Sequence, residues 1–321
     1  NDAKKISWSS SLHEEVVRGK MGVFDAKKAV PCLYRPFTKQ WLYYDDMFNH
    51  RLGQMPYIFP EVGLENRVIV ITGTGTPIEF TCFMTDTLPD YQGPAKSQCF
   101  PLHLYEETTS EVHLNGKKPQ TVLFGDDDHS DVTPSPGNPA PEGTPPYQRR
   151  NAITDTGQAH FQQAYPGEAI GKEDVFYYVY GLLHSPDYRE RYADNLSKEL
   201  PRIPRVKTAK DFWVFSQAGR DLAALHLNYE TLDKYPLTIE HKAKLTDADY
   251  RVEKMKFAKK GDKTRVIYNA KITLSGIPAA AWDYIVNGKA ALDWVMERQS
   301  VRTDKASGIV NDANRYAIET V

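Results

Sequence analysis

Residues 176–206 constrain the fold of this chain more than any other stretch. They open Phe-Tyr-Tyr-Val-Tyr-Gly-Leu-Leu-His, pass Ser185-Pro186, and run through Tyr188, Tyr192 and Leu196 to Leu-Pro-Arg-Ile-Pro. The apolar and aromatic positions outline two helices joined at Ser185-Pro186. Proline is tolerated in a first helical turn, where its missing amide hydrogen costs little, and serine is a natural N-cap before it. The second helix is expected to stop near Leu200, because Pro201 and Pro204 cannot continue it. Nothing in the stretch forms a catalytic constellation.

The chain has 321 residues, room for two domains or one large domain with an insertion. Its mean hydropathy of −0.55 and hydrophobic content of 40% describe a globular protein. No apolar run is long enough to cross a bilayer, and no signal peptide precedes the fold, so a cytoplasmic setting is expected. Cys32, Cys82 and Cys99 are widely spaced and form no Cys-x-x-Cys, which argues against a disulfide scaffold and a cysteine zinc site. A net charge of −2 gives no global basic excess, so any nucleic-acid partner must be held by local patches. The sequence starts at Asn1 and ends inside an expected helix (Asn311 to Thr320), which suggests a piece of a longer polypeptide.

After a short amphipathic helix from Leu12 to Lys20, the texture turns to strands. Val30 to Phe37, Gln40 to Tyr44, Arg67 to Ile71, Glu79 to Met84 and Gln98 to Tyr105 are β-branched and aromatic runs between turn signals, with Thr121 to Phe124 last. Composition then breaks. From Gly125 to Arg150 come Asp126-Asp127-Asp128, many prolines and almost no apolar residue, the pattern of a flexible loop or linker. Helices are expected over Asp155 to Tyr165, Lys172 to His184, Pro186 to Leu200 and Thr208 to Leu227. A second β segment runs from Tyr250 to Leu274, with a hairpin tip at Lys259-Lys260-Gly261-Asp262-Lys263, and helices near Pro278–Val286 and Ala290–Glu297 follow. The expected fold class is α+β, a mainly antiparallel β region followed by a helical segment and a returning basic hairpin. The expected divisions are a β-rich subdomain over 1–125, a linker over 126–150, and the helical segment with its hairpin over 151–321.

Most catalytic motifs fail on chemistry. Val68 to Thr76 resembles a strand entering a glycine-rich phosphate loop, but Pro77-Ile78 and another strand follow where a helix N-terminus is required. Thr144-Pro145-Pro146-Tyr147 echoes the Asn/Asp-Pro-Pro-Tyr signature of amino-methyltransferases, yet threonine is a poor stand-in for the amide or acid. His13-Glu14-Glu15 lacks the second histidine of a zincin helix, and the nine histidines show no ligand spacing. Glu240-His241-Lys242 reads as a solvated charge run, and Asp126-Asp127-Asp128 as an acidic loop.

Two features survive. Around the expected hairpin, Lys256, Lys259, Lys260, Lys263 and Arg265 gather in a chain that is slightly acidic overall. Such an excess suits phosphate contacts, although lysines on an edge hairpin also serve to block sheet aggregation. Tyr34 to Asp45 interleaves aromatics with Arg35, Lys39 and Gln40; Lys39 and Gln40 could reach base edges, while the aromatics are better read as core.

Several strings occur together in one order: Tyr-Tyr-Val-Tyr-Gly-Leu-Leu-His-Ser-Pro-Asp-Tyr-Arg (177–189), Leu-Pro-Arg-Ile-Pro (200–204), Tyr-Arg-Pro-Phe-Thr-Lys-Gln-Trp-Leu-Tyr-Tyr-Asp (34–45), Ile-Pro-Ala-Ala-Ala-Trp-Asp-Tyr (277–284), Val-Asn-Gly-Lys-Ala-Ala-Leu-Asp-Trp (286–294) and Lys-Ala-Ser-Gly-Ile-Val-Asn-Asp (305–312). Together, from about Trp8 to the end, they resemble the C-terminal specificity region of the type ISP restriction–modification enzymes. Those are long single polypeptides carrying a nuclease, a helicase-like ATPase, an adenine-N6 methyltransferase and a target recognition domain. The resemblance implies that this chain recognises double-stranded DNA and presents it to the upstream methyltransferase and helicase domains. It also implies that catalytic motifs lie outside this chain, with S-adenosylmethionine, ATP and Mg used by the parent and no cofactor held here. The strings carry no base-reading residue, so Lys39, Gln40, Lys256, Lys259, Lys260, Lys263 and Arg265 are DNA-contact candidates on charge alone. The competing expectation is a docking module whose Phe176–Leu200 helices pack on an upstream domain.

Overall fold

The computed structural model describes residues 8–49, 52–61, 63–91, 93, 96–108, 146–305 and 307–315. The N-terminal part holds α1 (Ser10–Val17), β1 (Ala29–Arg35), β2 (Thr38–Tyr43), α2 (Met55–Ile58), β3 (Val68–Ile71), β4 (Cys82–Thr85), β5 (Leu88–Pro89), β6 (Gln98–Pro101), β7 (His103–Glu107) and β8 (Tyr147–Asn151). Helices follow: α3 (Asp155–Ala164), α4 (Lys172–His184), α5 (Pro186–Arg191), α6 (Ala193–Leu196) and α7 (Ala209–Leu227). The C-terminal part holds β9 (Thr238–His241), β10 (Lys256–Phe257), β11 (Arg265–Ile267), β12 (Ile272–Ser275), β13 (Ile285–Val286), β14 (Lys289–Ala290), α8 (Ala291–Arg298), β15 (Val301–Thr303) and β16 (Val310–Asp312). The fold is α+β with small, mainly antiparallel sheets; among the named strands only β1 and β5 pair in parallel.

The antiparallel sheet β4-β3-β6 is the central layer. All four residues of β3 are buried, because both faces of the strand are covered. Ile69 and Ile71 join the helical core with Phe161, Phe176, Val179 and Phe212. Val68 and Val70 point the other way, toward Val30, Leu33, Val286 and Trp294. A third core lies beneath the sheet β10-β11-β12-β9, around Val266, Ile272, Leu274 and Trp282.

The opening tyrosine run explains itself in this setting. Residues Val175 to Leu183 of α4 are all buried, as a helix apolar on every side must be. They therefore leave no open apolar face for an upstream domain. Buried tyrosine hydroxyls still need partners. Three of them find alternate carbonyls of one extended segment: Tyr188 donates to Arg202 at 2.7 Å, Tyr178 to Pro204 at 2.6 Å, and Tyr165 to Val206 at 2.7 Å. Alternate carbonyls of an extended chain point the same way, so one row of hydroxyls fastens the whole strap.

The helix after Ser185-Pro186 is shorter than its pattern suggests. Ser185 caps it as expected, its hydroxyl accepting from Tyr188 N at 3.4 Å, but the chain leaves helical geometry at Tyr192 and ends α6 at Leu196. No helix spans Pro278–Val286; a single 3-10 turn (Ala279–Trp282) precedes the β13–β14 hairpin. Its two-residue loop is Asn287-Gly288, with φ of 52° and 75°, the pair a type I′ turn demands. Of the helix expected over Asn311 to Thr320, Asn311 and Asp312 instead belong to β16, which pairs with β15, Ala313–Arg315 form a 3-10 turn, and residues 316–320 lie outside the described residues. Asp312 is drawn out of helical geometry by its ion pair with Arg251 and its bonds to Asn314. At the far end of the proline-rich stretch, Tyr147–Asn151 pairs with β7, so the linker reading fails for its last residues. Thr121 to Phe124, Asp126-Asp127-Asp128 and Thr144 lie outside the described residues.

A candidate nucleic-acid interface

The register of the C-terminal sheet sorts its side chains. Phe257, Val266, Leu274 and Ile239 lie in one cross-strand row, and the first three pack into or against the third core. The neighbouring rows, Lys256–Ile267–Thr273–Glu240 and Arg265–Ser275–Thr238, belong to the opposite face. Between β10 and β11 the chain turns at Gly261, whose φ of 84° suits glycine. Lys256, Lys259 and Lys260 are exposed on this hairpin.

The other two hairpin candidates are held by neighbours. Arg265 reaches across β12 to form an ion pair with Glu240 of β9. A hydrogen bond from Ser275, and then Arg265, keep the Glu240 carboxyl below its ordinary range. The Lys263 ammonium lies 5.0 Å from the centre of the Trp282 ring, and its carbonyl accepts from the indole nitrogen at 3.1 Å. Lys263 thus anchors the hairpin on the core through its stem and backbone. Asp262 takes both the amide and hydroxyl of Thr264, at 2.9 and 2.6 Å, and adds one negative charge to the tip.

The two β2 candidates sit elsewhere. Lys39 forms a 3.1 Å ion pair with Glu230, both side chains about one-fifth exposed, and lies 5.5 Å from the Tyr229 ring centre. Gln40 is half-buried opposite Cys32 in the β1–β2 ladder. The aromatics of this region divide: Phe37 and Leu42 pack against the second core, whereas Trp41 is 65% exposed. Phe37 enters the core from a turn with φ of 55°, and its ring meets Tyr229 and Tyr284 edge-on.

Two of the motifs read from the sequence find no nucleotide or metal geometry among the described residues. Gly73 and Gly75 lie in the connection between β3 and its antiparallel neighbour β4, so no helix N-terminus faces that loop. Among the described residues no three of His, Cys, Asp or Glu gather at ligating distance. Cys82 is buried and Cys99 half-buried, and burial pushes both thiols up to about 12, which makes them poor nucleophiles. A second basic surface, with no counterpart among the candidates read from the sequence, lies on the strap from Arg202 to Lys207 and on Lys210 in the first turn of α7; its signal was the run of cations Arg202, Arg205 and Lys207.

Residues 1–320 match the family model of the Type ISP C-terminal specificity domain. No curated protein matches the chain. Among solved structures, it is similar to the ATP-dependent Type ISP restriction-modification enzyme LlaBIII bound to DNA, with 30% identity and a TM-score of 0.78 over 99% of this chain and 18% of that one. A nuclease-deletion mutant of the Type ISP enzyme LlaGI, in complex with a DNA substrate mimic, gives 31% identity and a TM-score of 0.76 over 98% of this chain and 24% of that one. A DrdV–DNA complex gives 32% and 0.74, over 94% of this chain and 26% of that one. The chain therefore spans 18–26% of the length of these enzymes. With the α+β architecture shared along almost its whole length and the family model ending one residue short of its last, this chain belongs to the Type ISP C-terminal specificity domains.

Proposed function

We propose that this domain recognises a DNA sequence on behalf of a Type ISP restriction–modification polypeptide, and presents the duplex to the methyltransferase and helicase domains upstream. The observation that carries this reading is the match along nearly the whole chain to domains of DNA-bound enzymes, at 30–32% identity. ATP, Mg and S-adenosylmethionine belong, in this reading, to other domains of the polypeptide. A cytoplasmic setting belongs to it too; among the described residues no helix is long and apolar enough to cross a membrane.

The division of labour is physical. Lysines on an exposed hairpin neutralise phosphates and release counterions, which gives affinity without sequence information and a steep dependence on salt. In this reading Lys256, Lys259 and Lys260 make these contacts, which their exposure on the hairpin supports, with Lys263 fixing the hairpin and Arg265 available once it leaves Glu240. Discrimination requires long polar side chains at base edges. Gln40 is the β2 residue we assign to that task, beside exposed Trp41; Lys39 must first give up Glu230 to reach a base. Selecting bound duplexes from a random pool with the intact polypeptide tests the proposal. One enriched sequence is expected, and an unchanged pool would overturn it.

A further inference from the structure

We infer that the Arg202–Lys207 strap, continued by Lys210 in the first turn of α7, is a second, sequence-independent phosphate-contacting surface, distinct from the β10–β11 hairpin. The inference rests on the DNA-recognition reading above and adds a site to it. From Lys198 to Asp211 the chain carries five cations, Lys198, Arg202, Arg205, Lys207 and Lys210, against two carboxylates, Glu199 and Asp211. That is a local excess of three (5 − 2) in a chain of net charge −2. Arg202, Arg205, Lys207 and Lys210 are all exposed, while Ile203 and Val206 between them pack against the helical core. The strap thus buries its apolar side chains and turns its charged ones to solvent.

What separates it from an ordinary solvated charge run is rigidity. The hydroxyls of Tyr188, Tyr178 and Tyr165 hold the carbonyls of residues 202, 204 and 206 at 2.6–2.7 Å, and Pro201 and Pro204 narrow the backbone further. Few degrees of freedom remain to be lost when an anion binds, so the cations are preorganised. An extended run of five residues reaches about 17 Å, the rise along the helix axis over which one DNA strand carries about five phosphates, so the strap is long enough to meet more than one of them. The carboxylates nearby leave part of the charge uncommitted. Glu199 pairs with Arg202 at 3.0 Å, but the Arg202 side chain stays 82% exposed. Asp211 accepts from the Thr208 hydroxyl at 2.7 Å, and Glu168 from the Trp213 indole at 2.8 Å. Arg205 makes only a long 3.4 Å bond to the His160 carbonyl, and Lys207 and Lys210 have no ion pair among the described residues.

The test compares the intact polypeptide with its Arg205→Gln/Lys207→Gln variant, measuring affinity for one selected duplex across a salt series. Loss of two phosphate contacts should lower the slope of log K against log[salt] by about two units, uniformly across duplex sequences. A variant with wild-type affinity and slope overturns the strap and leaves target recognition standing. A variant with an unchanged slope but a lower melting temperature assigns the strap to docking on a neighbouring domain, and also overturns it. Wild-type protein that binds no duplex even at low salt overturns both readings together.

Discussion

Gly181 of α4 and Gly219 of α7 lie against each other at the point where the two helices cross. A Cβ on Gly181 would stand 2.2 Å from the Phe215 carbonyl oxygen and 3.1 Å from the Gly219 nitrogen; one on Gly219 would stand 2.0 Å from the Tyr177 carbonyl oxygen. The obstructing atoms are backbone, so relief requires the helices to separate and the core around Phe176 and Phe212 to repack. Gly181→Ala or Gly219→Ala should therefore destabilise the domain by about 3 kcal/mol or more, despite the better helix propensity of alanine. Chemical denaturation measures the difference, and an alanine variant as stable as wild type would show that the crossing is not close.

The tyrosine row that fastens the strap makes a separate claim. Tyr178→Phe keeps the ring stacked on Phe212, at 4.8 Å between centres, and removes only the hydroxyl that serves Pro204. The orphaned carbonyl should cost about 1–3 kcal/mol, and amides of residues 202–207 should exchange faster with solvent. Unaltered exchange there would mean that the hydroxyls do not hold the strap.

Lys39 and Glu230 lead to a prediction about specificity. Removing the ammonium by Lys39→Met strands a mostly buried carboxylate, so stability should fall by about 1–3 kcal/mol. The selected DNA sequence should stay the same, because in the closed pair the ammonium is turned to Glu230. A changed base preference with unchanged stability would restore Lys39 as a base reader.

These contrasts locate what is readable from sequence. α4 and the Ser185 cap were legible because apolar periodicity and capping chemistry act within a few residues. The Asn287-Gly288 turn is equally local, yet the residues before it are read as helix, since Ala279 to Trp282 supply helix-forming residues there. The fates of the cations were not legible at all. Glu230 lies 191 residues from Lys39 and Glu240 lies 25 from Arg265, so only folding decides which charges are neutralised. The fastening of the strap was not legible for a related reason: its carbonyl partners are tyrosines from three separate elements.

Two half-buried histidines give the domain a defined acid response. Burial lowers the pKa of His184 to about 4, and burial together with the charge of His184 lowers that of His226 to about 3. Both are neutral in the fold: His184 donates Nδ1–H to the Tyr180 carbonyl at 2.9 Å, and the Tyr180 hydroxyl, itself held protonated by burial, donates to His226 Nδ1. The unfolded chain titrates both near 6.5, so it takes up protons that the native state refuses. Stability is thus complete above about pH 6.5 and falls as pH drops toward 4, by about 2 kcal/mol per histidine at pH 5. Urea unfolding at pH 7.5 and pH 5 measures the loss, which His184→Gln should roughly halve. Equal stability at both pH values would show that the fold does not hold these imidazoles neutral.

Glu240 is the residue whose removal should improve function. Its carboxylate neutralises Arg265 on the solvent-facing rows of the β10-β11-β12-β9 sheet, and the pair is about half exposed, so its own stabilising effect is small. Glu240→Gln keeps the bond from Ser275 within reach, preserves the strand and releases the guanidinium. Loss of one negative charge and gain of one free cation should strengthen binding to any duplex and steepen the salt slope by about one unit. Thermal stability should change by less than about 1 kcal/mol. Affinity lower than wild type, or a slope that stays the same, would place the duplex away from this face of the sheet and transfer the phosphate contacts to other surfaces of the domain.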